Sequence, residues 1–126
     1  MREQKNMDIV IKIEEIALTA IAIYFLSKYS LGISLWAWLL LFFSPDISML
    51  GYLLGSRAGA ILYNLFHHRA IAAVVAVTGL YLQMDVLTAV GLLLFAHSSF
   101  DRMLGYGLKF SDDFKHTSLG WIGKGK

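Results

Sequence analysis

His97 and Asp101 stand four residues apart in an apolar stretch that runs from Val86 to about Leu104. Residues at that spacing share one face of a helix, so the imidazole and the carboxylate point the same way. In the preceding stretch Asn64 bears the same relation to His67 and His68, and Asp46 follows Pro45 inside another apolar run. An ionisable side chain within a membrane segment costs on the order of 3 kcal/mol, so several of them together mark a candidate site. A His and an Asp at i and i+4, with a second His and a carboxylate from other helices, form a ligand set suited to zinc, iron or manganese. His67, His97, Asp101 and Asp46 are therefore the candidate ligands of a divalent metal. Glu15 is the candidate base, Asp46 a second catalytic candidate, and Asn64, His68 and Tyr52 are further buried polar groups.

Each of these has a plainer reading. His67 and His68 point about 100° apart on a helix, so only one of them can be a ligand. Asp46 could cap a half-helix that begins at Pro45. His97 and Asp101 could be a structural pair that fixes one helix. Glu14 sits where an interfacial carboxylate would be solvated, whereas Glu15, with Thr19 one turn on, is placed to face other helices. Arg69 lies on another face of its helix and needs an acid partner or a path to the interface.

The elements that must position these groups are long and apolar. A bilayer core about 30 Å thick is crossed by roughly 20 apolar residues in a helix. Four stretches approach that length, over about residues 9–28, 33–54, 58–82 and 86–104. Pro45 should bend or break the second, because it lacks an N–H. Gly55-Ser56-Arg57-Ala58-Gly59 reads as a tight turn, although the four-residue spacing of Gly51, Gly55 and Gly59 also suits close helix contact. Gln83-Met84-Asp85 ends the third stretch, with Asp85 as N-cap of the fourth. Residues 105–126 turn polar and read as an irregular tail. The expected fold is all-α, a four-helix transmembrane bundle with a polar C-terminal tail.

Composition supports that class. Of 126 residues, 57% are apolar and 16% charged, too lopsided for helices that need polar outer faces in water. With no cysteine there is no disulfide framework, thiolate metal site or cysteine nucleophile. A formal net charge of +2, spread along the edges of the apolar runs, excludes a nucleic-acid surface. Membrane lipid is the expected partner.

Orientation follows from Lys and Arg at the ends of the stretches. Arg2, Lys5, Arg57, Arg102, Lys109, Lys115, Lys124 and Lys126 fall on one side and Lys28 on the other. This places both termini in the cytoplasm of a multi-pass inner-membrane protein. In that orientation the buried polar groups share a depth near the inner leaflet. Asp46, for instance, lies eight residues from Leu54, or about 12 Å at the helical rise.

Longer strings carry a resemblance. Phe43-Ser44-Pro45-Asp46-Ile47-Ser48-Met49-Leu50-Gly51-Tyr52, Tyr63-Asn64-Leu65 with His67, and His97 with Phe100-Asp101-Arg102 and Leu104-Gly105-Tyr106-Gly107-Leu108-Lys109 resemble the bacterial integral-membrane family called domain of unknown function 4260. The likeness spans nearly the whole chain and implies a compact multi-pass protein with Asp46, Asn64, His67, His97 and Asp101 at motif positions. It implies no activity. The family's tail carries a Thr-His-Leu-Gly string; here Ser118 stands in place of that histidine, with His116 as the nearest substitute. The Pro-Asp with intramembrane histidines is also weakly similar to membrane-bound metal-dependent hydrolases, which is analogy only.

Three functions compete. A metal-dependent hydrolase would act on a lipid or another amphiphile, using the four ligands and Glu15. A four-helix chain with a first-helix glutamate also looks like the small multidrug exporters, which are proton-coupled dimers, so a homodimer is a partner this reading admits. In a non-catalytic membrane partner, the same residues would only hold helices together.

Overall fold

The computed structural model of the chain describes residues 2–29 and 31–122. Ser30 of the expected first turn, and Lys124 and Lys126 of the charge argument, lie outside the described residues. In chain order the elements are α1 (Arg2–Leu26), a short 3-10 turn (Ser27–Tyr29), α2 (Leu35–Phe42), a 3-10 segment (Ser44–Leu54), α3 (Ser56–His67), α4 (Arg69–Tyr81) and α5 (Asp85–Met103). A small antiparallel pair, β1 (His116–Thr117) and β2 (Gly120–Trp121), follows. The all-α class holds, but two of the four expected helices are interrupted.

The break in the second stretch is the one Pro45 imposes. Ser34 caps α2 by accepting from the Ala37 N–H, and α2 stops at Phe42, where the chain tightens into the 3-10 segment with Pro45 in its first turn. Pro45 costs nothing there, because the first N–H groups of a helix have no internal partner. The third stretch, expected as one helix over 58–82, is divided at His68, whose backbone is extended (φ −86, ψ 116). α3 and α4 meet there at a bend of 45°. No Gly or Pro marks the site. The consequence is geometric: His67 and Arg69, adjacent to the break, are sent to different partners.

α5 is the central element, with α1 and α4 against it and α3 paired with the 3-10 segment. Its buried residues include Thr88, Ala89, Gly91, Ala96, His97, Ser98 and Ser99. A Cβ on Gly91 would overlap the backbone of Ala76, and one on Gly79 would overlap that of Thr88. α4 and α5 therefore touch backbone to backbone at two levels, the packing that small residues permit between helices. The turn expected over residues 55–59 narrows to Gly55, at φ 120, because α3 already begins at Ser56; Gly51 and Gly59 lie in close contact across it, the helix contact that the glycine spacing also suits.

The outside of the molecule is the reverse of the inside. Among the residues turned outward are Leu53, 84% exposed, Leu54, 80%, and Trp36 and Leu40, each 78%, while the buried interior holds Glu15, Thr19, His67, Thr88, His97, Ser98 and Ser99. Leu35–Leu54, taken as one 20-residue unit, is long and apolar enough to cross a membrane; α3 and α4 make a second such stretch if the bent pair counts as one.

α1 begins at Arg2 instead of Ile9, so the polar leader is helical too. Met84, not Asp85, is the N-cap of α5. The larger correction concerns the tail, which is not irregular throughout. Residues 108–122 fold back onto α3 and the 3-10 segment. Asn64 Nδ2 donates to the Lys109 carbonyl at 2.7 Å and Asn64 Oδ1 accepts from the Lys109 N–H at 2.6 Å, so one amide side chain satisfies both backbone groups as a neighbouring strand would. Ser56 donates to the Ser111 carbonyl, and the Tyr52 and Phe114 rings meet edge to face.

Candidate metal centre

Four side chains from three elements converge. Asp46 projects from the first turn of the 3-10 segment, His67 from the last residue of α3, and His97 and Asp101 from one face of α5. Their ligand atoms all lie within 4.8 Å of one another. His97 Nε2 is 3.0 Å from Asp46 Oδ1, 3.2 Å from Asp101 Oδ2 and 3.1 Å from His67 Nε2. His67 Nε2 is 3.3 Å from Asp46 Oδ1 and 3.2 Å from Asp101 Oδ2. Five of the six edges of a tetrahedron are thus nearly equal. In a regular tetrahedron the centre lies at about 0.61 of the edge from each corner, so a sixth edge equal to the other five, at 3.0–3.3 Å, would put it about 1.8–2.0 Å from each donor. Zn–N and Zn–O bonds of roughly 2.0–2.2 Å need little more. The sixth edge, between Asp46 and Asp101, is bounded only by the 4.8 Å limit.

The opposite ring nitrogens fix the tautomers. His97 Nδ1 lies 2.7 Å from the Phe42 carbonyl and His67 Nδ1 lies 2.9 Å from the Tyr63 carbonyl. A carbonyl only accepts, so each Nδ1 carries the hydrogen and donates it. The Phe42 carbonyl is among the last four of α2, the ones a helix leaves unpaired, and Pro45 guarantees the ending that frees it. In neutral imidazoles, both Nε2 lone pairs then point into a space already holding two carboxylate oxygens. Four acceptors at 3.0–3.3 Å repel one another unless a cation lies between them. A divalent ion satisfies all four, and the Nδ1–H to carbonyl contacts are the outer hydrogen bonds that orient metal-binding histidines. Two protons could supply the same charge, but would set two N–H⁺ groups 3.1 Å apart.

Around the quartet, His97 is fully buried and His67 nearly so, while Asp101 keeps 13% of its side-chain exposure and Asp46 keeps 36%. Phe42, Phe43 and Phe100 stand edge-on around His97 and one another, and the Tyr63 ring stacks on His67 at 3.8 Å and 7°. Tyr63 also directs its hydroxyl to Asp101 Oδ2 at 3.5 Å. A cavity of about 270 Å³ lies on the Asp46 and Asp101 side, walled also by Tyr63, Tyr106, Lys109 and Phe114. The edge between Asp46 and Asp101 faces it, since both line its wall. Lys109 is only 5% exposed, donates to the Phe114 carbonyl at 2.8 Å and lies over the Phe114 ring. Burial holds its ammonium below the usual lysine range.

Other candidates go elsewhere. Glu15, expected as a base, is paired with Arg69, whose guanidinium also reaches Ser99 at 3.5 Å, so its carboxylate is taken up by a cation and not turned to the quartet. His68, expected to be buried, is exposed, because the bend turns it outward as His67 turns in. Asn64 clamps the tail and is not a ligand. The Tyr52 hydroxyl is buried with no hydrogen-bond partner among the described residues, and its ring covers Gly59. Ser118 bonds the backbone of Leu108, and His116 stacks between Phe110 and Trp121 beside Asp112, so neither reaches the quartet. Sequence reasoning missed Tyr63 and Lys109. Tyr63 was within reach of it, one helical turn before His67 on the same face. Lys109 was not, because only the folding of the tail brings it in.

A family model described as a domain of unknown function, DUF4260, matches residues 8–122. No curated protein and no solved structure matches the chain. Its Pro-Asp turn, its paired histidines and its His-Asp helix thus sit within a match covering nearly the whole sequence, and the chain belongs to the DUF4260 family.

Proposed function

We propose that this chain is a multi-pass membrane protein with a divalent-metal centre formed by Asp46, His67, His97 and Asp101, and that it works as a metal-dependent hydrolase on an amphiphile. The observation that carries the metal centre is the set of four convergent acceptors with both Nδ1 atoms already committed to carbonyls. Asp46, His67, His97 and Asp101 would hold a zinc, manganese or iron ion, which would supply Lewis acidity. The chain's own groups do the rest. Asp46, the most exposed of the four, is the carboxylate in place to accept a proton from water in the cavity. Tyr63 holds Asp101 and the plane of His67, and the phenylalanines around His97 keep bulk water from its side of the site.

Membrane residence rests on the inverted surface and on the apolar Leu35–Leu54 unit. Apolar side chains of this size around a polar interior suit lipid as the outer solvent. Four crossings with both termini inside follow from the Lys and Arg distribution. The chain has no cysteine, so single-cysteine variants test this cleanly. Lys28→Cys should react with an impermeant thiol reagent on intact spheroplasts and Lys5→Cys only after lysis; the reverse pattern overturns the orientation. The proton-coupled dimeric carrier is less well supported, because Arg69 neutralises the embedded Glu15.

Metal analysis of the detergent-purified full chain tests the centre. A single divalent ion per chain is expected for the wild type and none for His97→Ala. Wild-type protein that stays metal-free after incubation with zinc, manganese and ferrous iron refutes it. Hydrolysis is tested separately, by release of product from ester and phosphoester amphiphiles that chelation stops.

A further inference from the structure

The quartet's cavity does not stand alone. Asp46 and Met49 line both it and a neighbouring groove of about 510 Å³ on the outer side of the 3-10 segment. Phe43 lines that groove and also a third space, of about 570 Å³, between α2, the end of α1 and α5. This last space is walled almost wholly by apolar side chains, among them Ile23, Leu39 and Leu93. The three spaces therefore lie side by side, sharing Asp46, Met49 and Phe43 as walls, in a row that runs from the Asp46 side of the quartet to an apolar channel.

Its polar end carries a cation whose neighbouring carboxylates, Asp46 and Asp101, belong to the quartet. Lys109 makes no ion pair among the described residues; its ammonium donates one hydrogen bond, to the Phe114 carbonyl, and lies over the Phe114 and Tyr63 rings, so two of its three N–H donors have no oxygen acceptor among the described residues. With a divalent ion the two carboxylates of the quartet are neutralised, and two imidazoliums would neutralise them equally. Either way Lys109 leaves the cavity with one net positive charge in a nearly water-free wall. A buried ammonium with donors to spare is complemented by an anion.

We infer that the site takes a single-chain amphiphile with an anionic phosphate or carboxylate head, the head lying between the quartet and Lys109 and the chain running past Phe43 into the apolar channel. Lys109 is then a specificity-determining residue, set in place by Asn64 through its backbone, which a side-chain substitution leaves intact. The inference deepens the hydrolase reading by naming its substrate class, and it rests on that reading for the chemistry but not for the binding.

Native mass spectrometry of the full chain, released from neutral detergent micelles, tests it with dodecyl phosphate, dodecylphosphocholine and inorganic phosphate as probes. Dodecyl phosphate should bind at least about tenfold more tightly than the net-neutral dodecylphosphocholine. Lys109→Met should erase that preference and Lys109→Arg should keep it. Equal binding of the two amphiphiles by the wild type overturns the inference, as does a preference that survives in Lys109→Met. Displacement of dodecyl phosphate by an equal concentration of inorganic phosphate overturns the part played by the channel. Metal content, measured on the same samples, separates the two readings. Metal without head-group preference sinks this inference and leaves the centre; a Lys109-dependent preference without metal does the opposite.

Discussion

Two clusters of buried charge in the protein meet the cost of burial in two ways. On one side of α5, Glu15 of α1 meets Arg69 of α4, with Ser99 alongside. On the other, His97 and Asp101 of the same helix meet Asp46 and His67. Ser99 is two residues from each of His97 and Asp101, about 200° around the helix, which is why one helix serves both. The first cluster contains its own cation and is electrically closed. The second, with neutral imidazoles, presents only lone pairs, and it closes with a divalent ion or with protons on the histidines. Burial of charge is therefore not in itself the distinguishing mark in this molecule; whether a cluster contains its own lysine or arginine is the sharper difference.

That contrast can be broken experimentally. The largest effect should come from removing the ion. If the wild type is metal-loaded, a chelator at excess should lower its stability by about 4 kcal/mol, the linkage expected for a site held at a thousandfold above its dissociation constant. A melting curve in detergent with and without chelator reads this, and His97→Ala should be insensitive to the chelator. Next is Arg69→Met, which strands Glu15 as a buried carboxylate and should cost about 3 kcal/mol, by the same denaturation measurement, while leaving metal content unchanged. The double variant Glu15→Leu with Arg69→Met should recover most of that loss, since replacing both members of a buried pair is often neutral. If Arg69→Met also empties the metal site, the two clusters are coupled and the comparison fails.

Smaller effects sharpen the picture. Asn64→Ala removes both bonds to Lys109 and should cost about 2 kcal/mol, two hydrogen bonds at about 1 kcal/mol each. Limited proteolysis should then cut the tail near Ser111 well before the helices, because Asn64 is its principal tether. Tyr63→Phe loses only the long 3.5 Å contact to Asp101 and keeps the stack on His67. It should change stability by less than about 1 kcal/mol and weaken metal retention by a modest factor. A collapse of metal binding on Tyr63→Phe would make the hydroxyl a member of the centre itself.

Much of this was legible in advance, for identifiable reasons. The i to i+4 spacing put His97 beside Asp101, and the cost of burying polar groups implied that they would find one another instead of lipid. Pro45 announced the end of α2. What could not be read was the division at His68, because that break has no Gly or Pro behind it and coincides with the point where His67 and Arg69 go to different partners. Nor could the tail be read, since short polar segments carry no periodicity and Asn64 meets Lys109 across 45 residues.

By itself the sequence determined the local matters: helical stretches, where proline ends one of them, which side chains share a face, and that polar groups in so apolar a chain must be gathered inside. The tertiary structure alone decided which acid belongs to which base. Glu15 went to Arg69 and Asp46 to the histidines because pairing depends on where five separate elements cross. Helical periodicity specifies direction around an axis, and it is silent on the distance between axes.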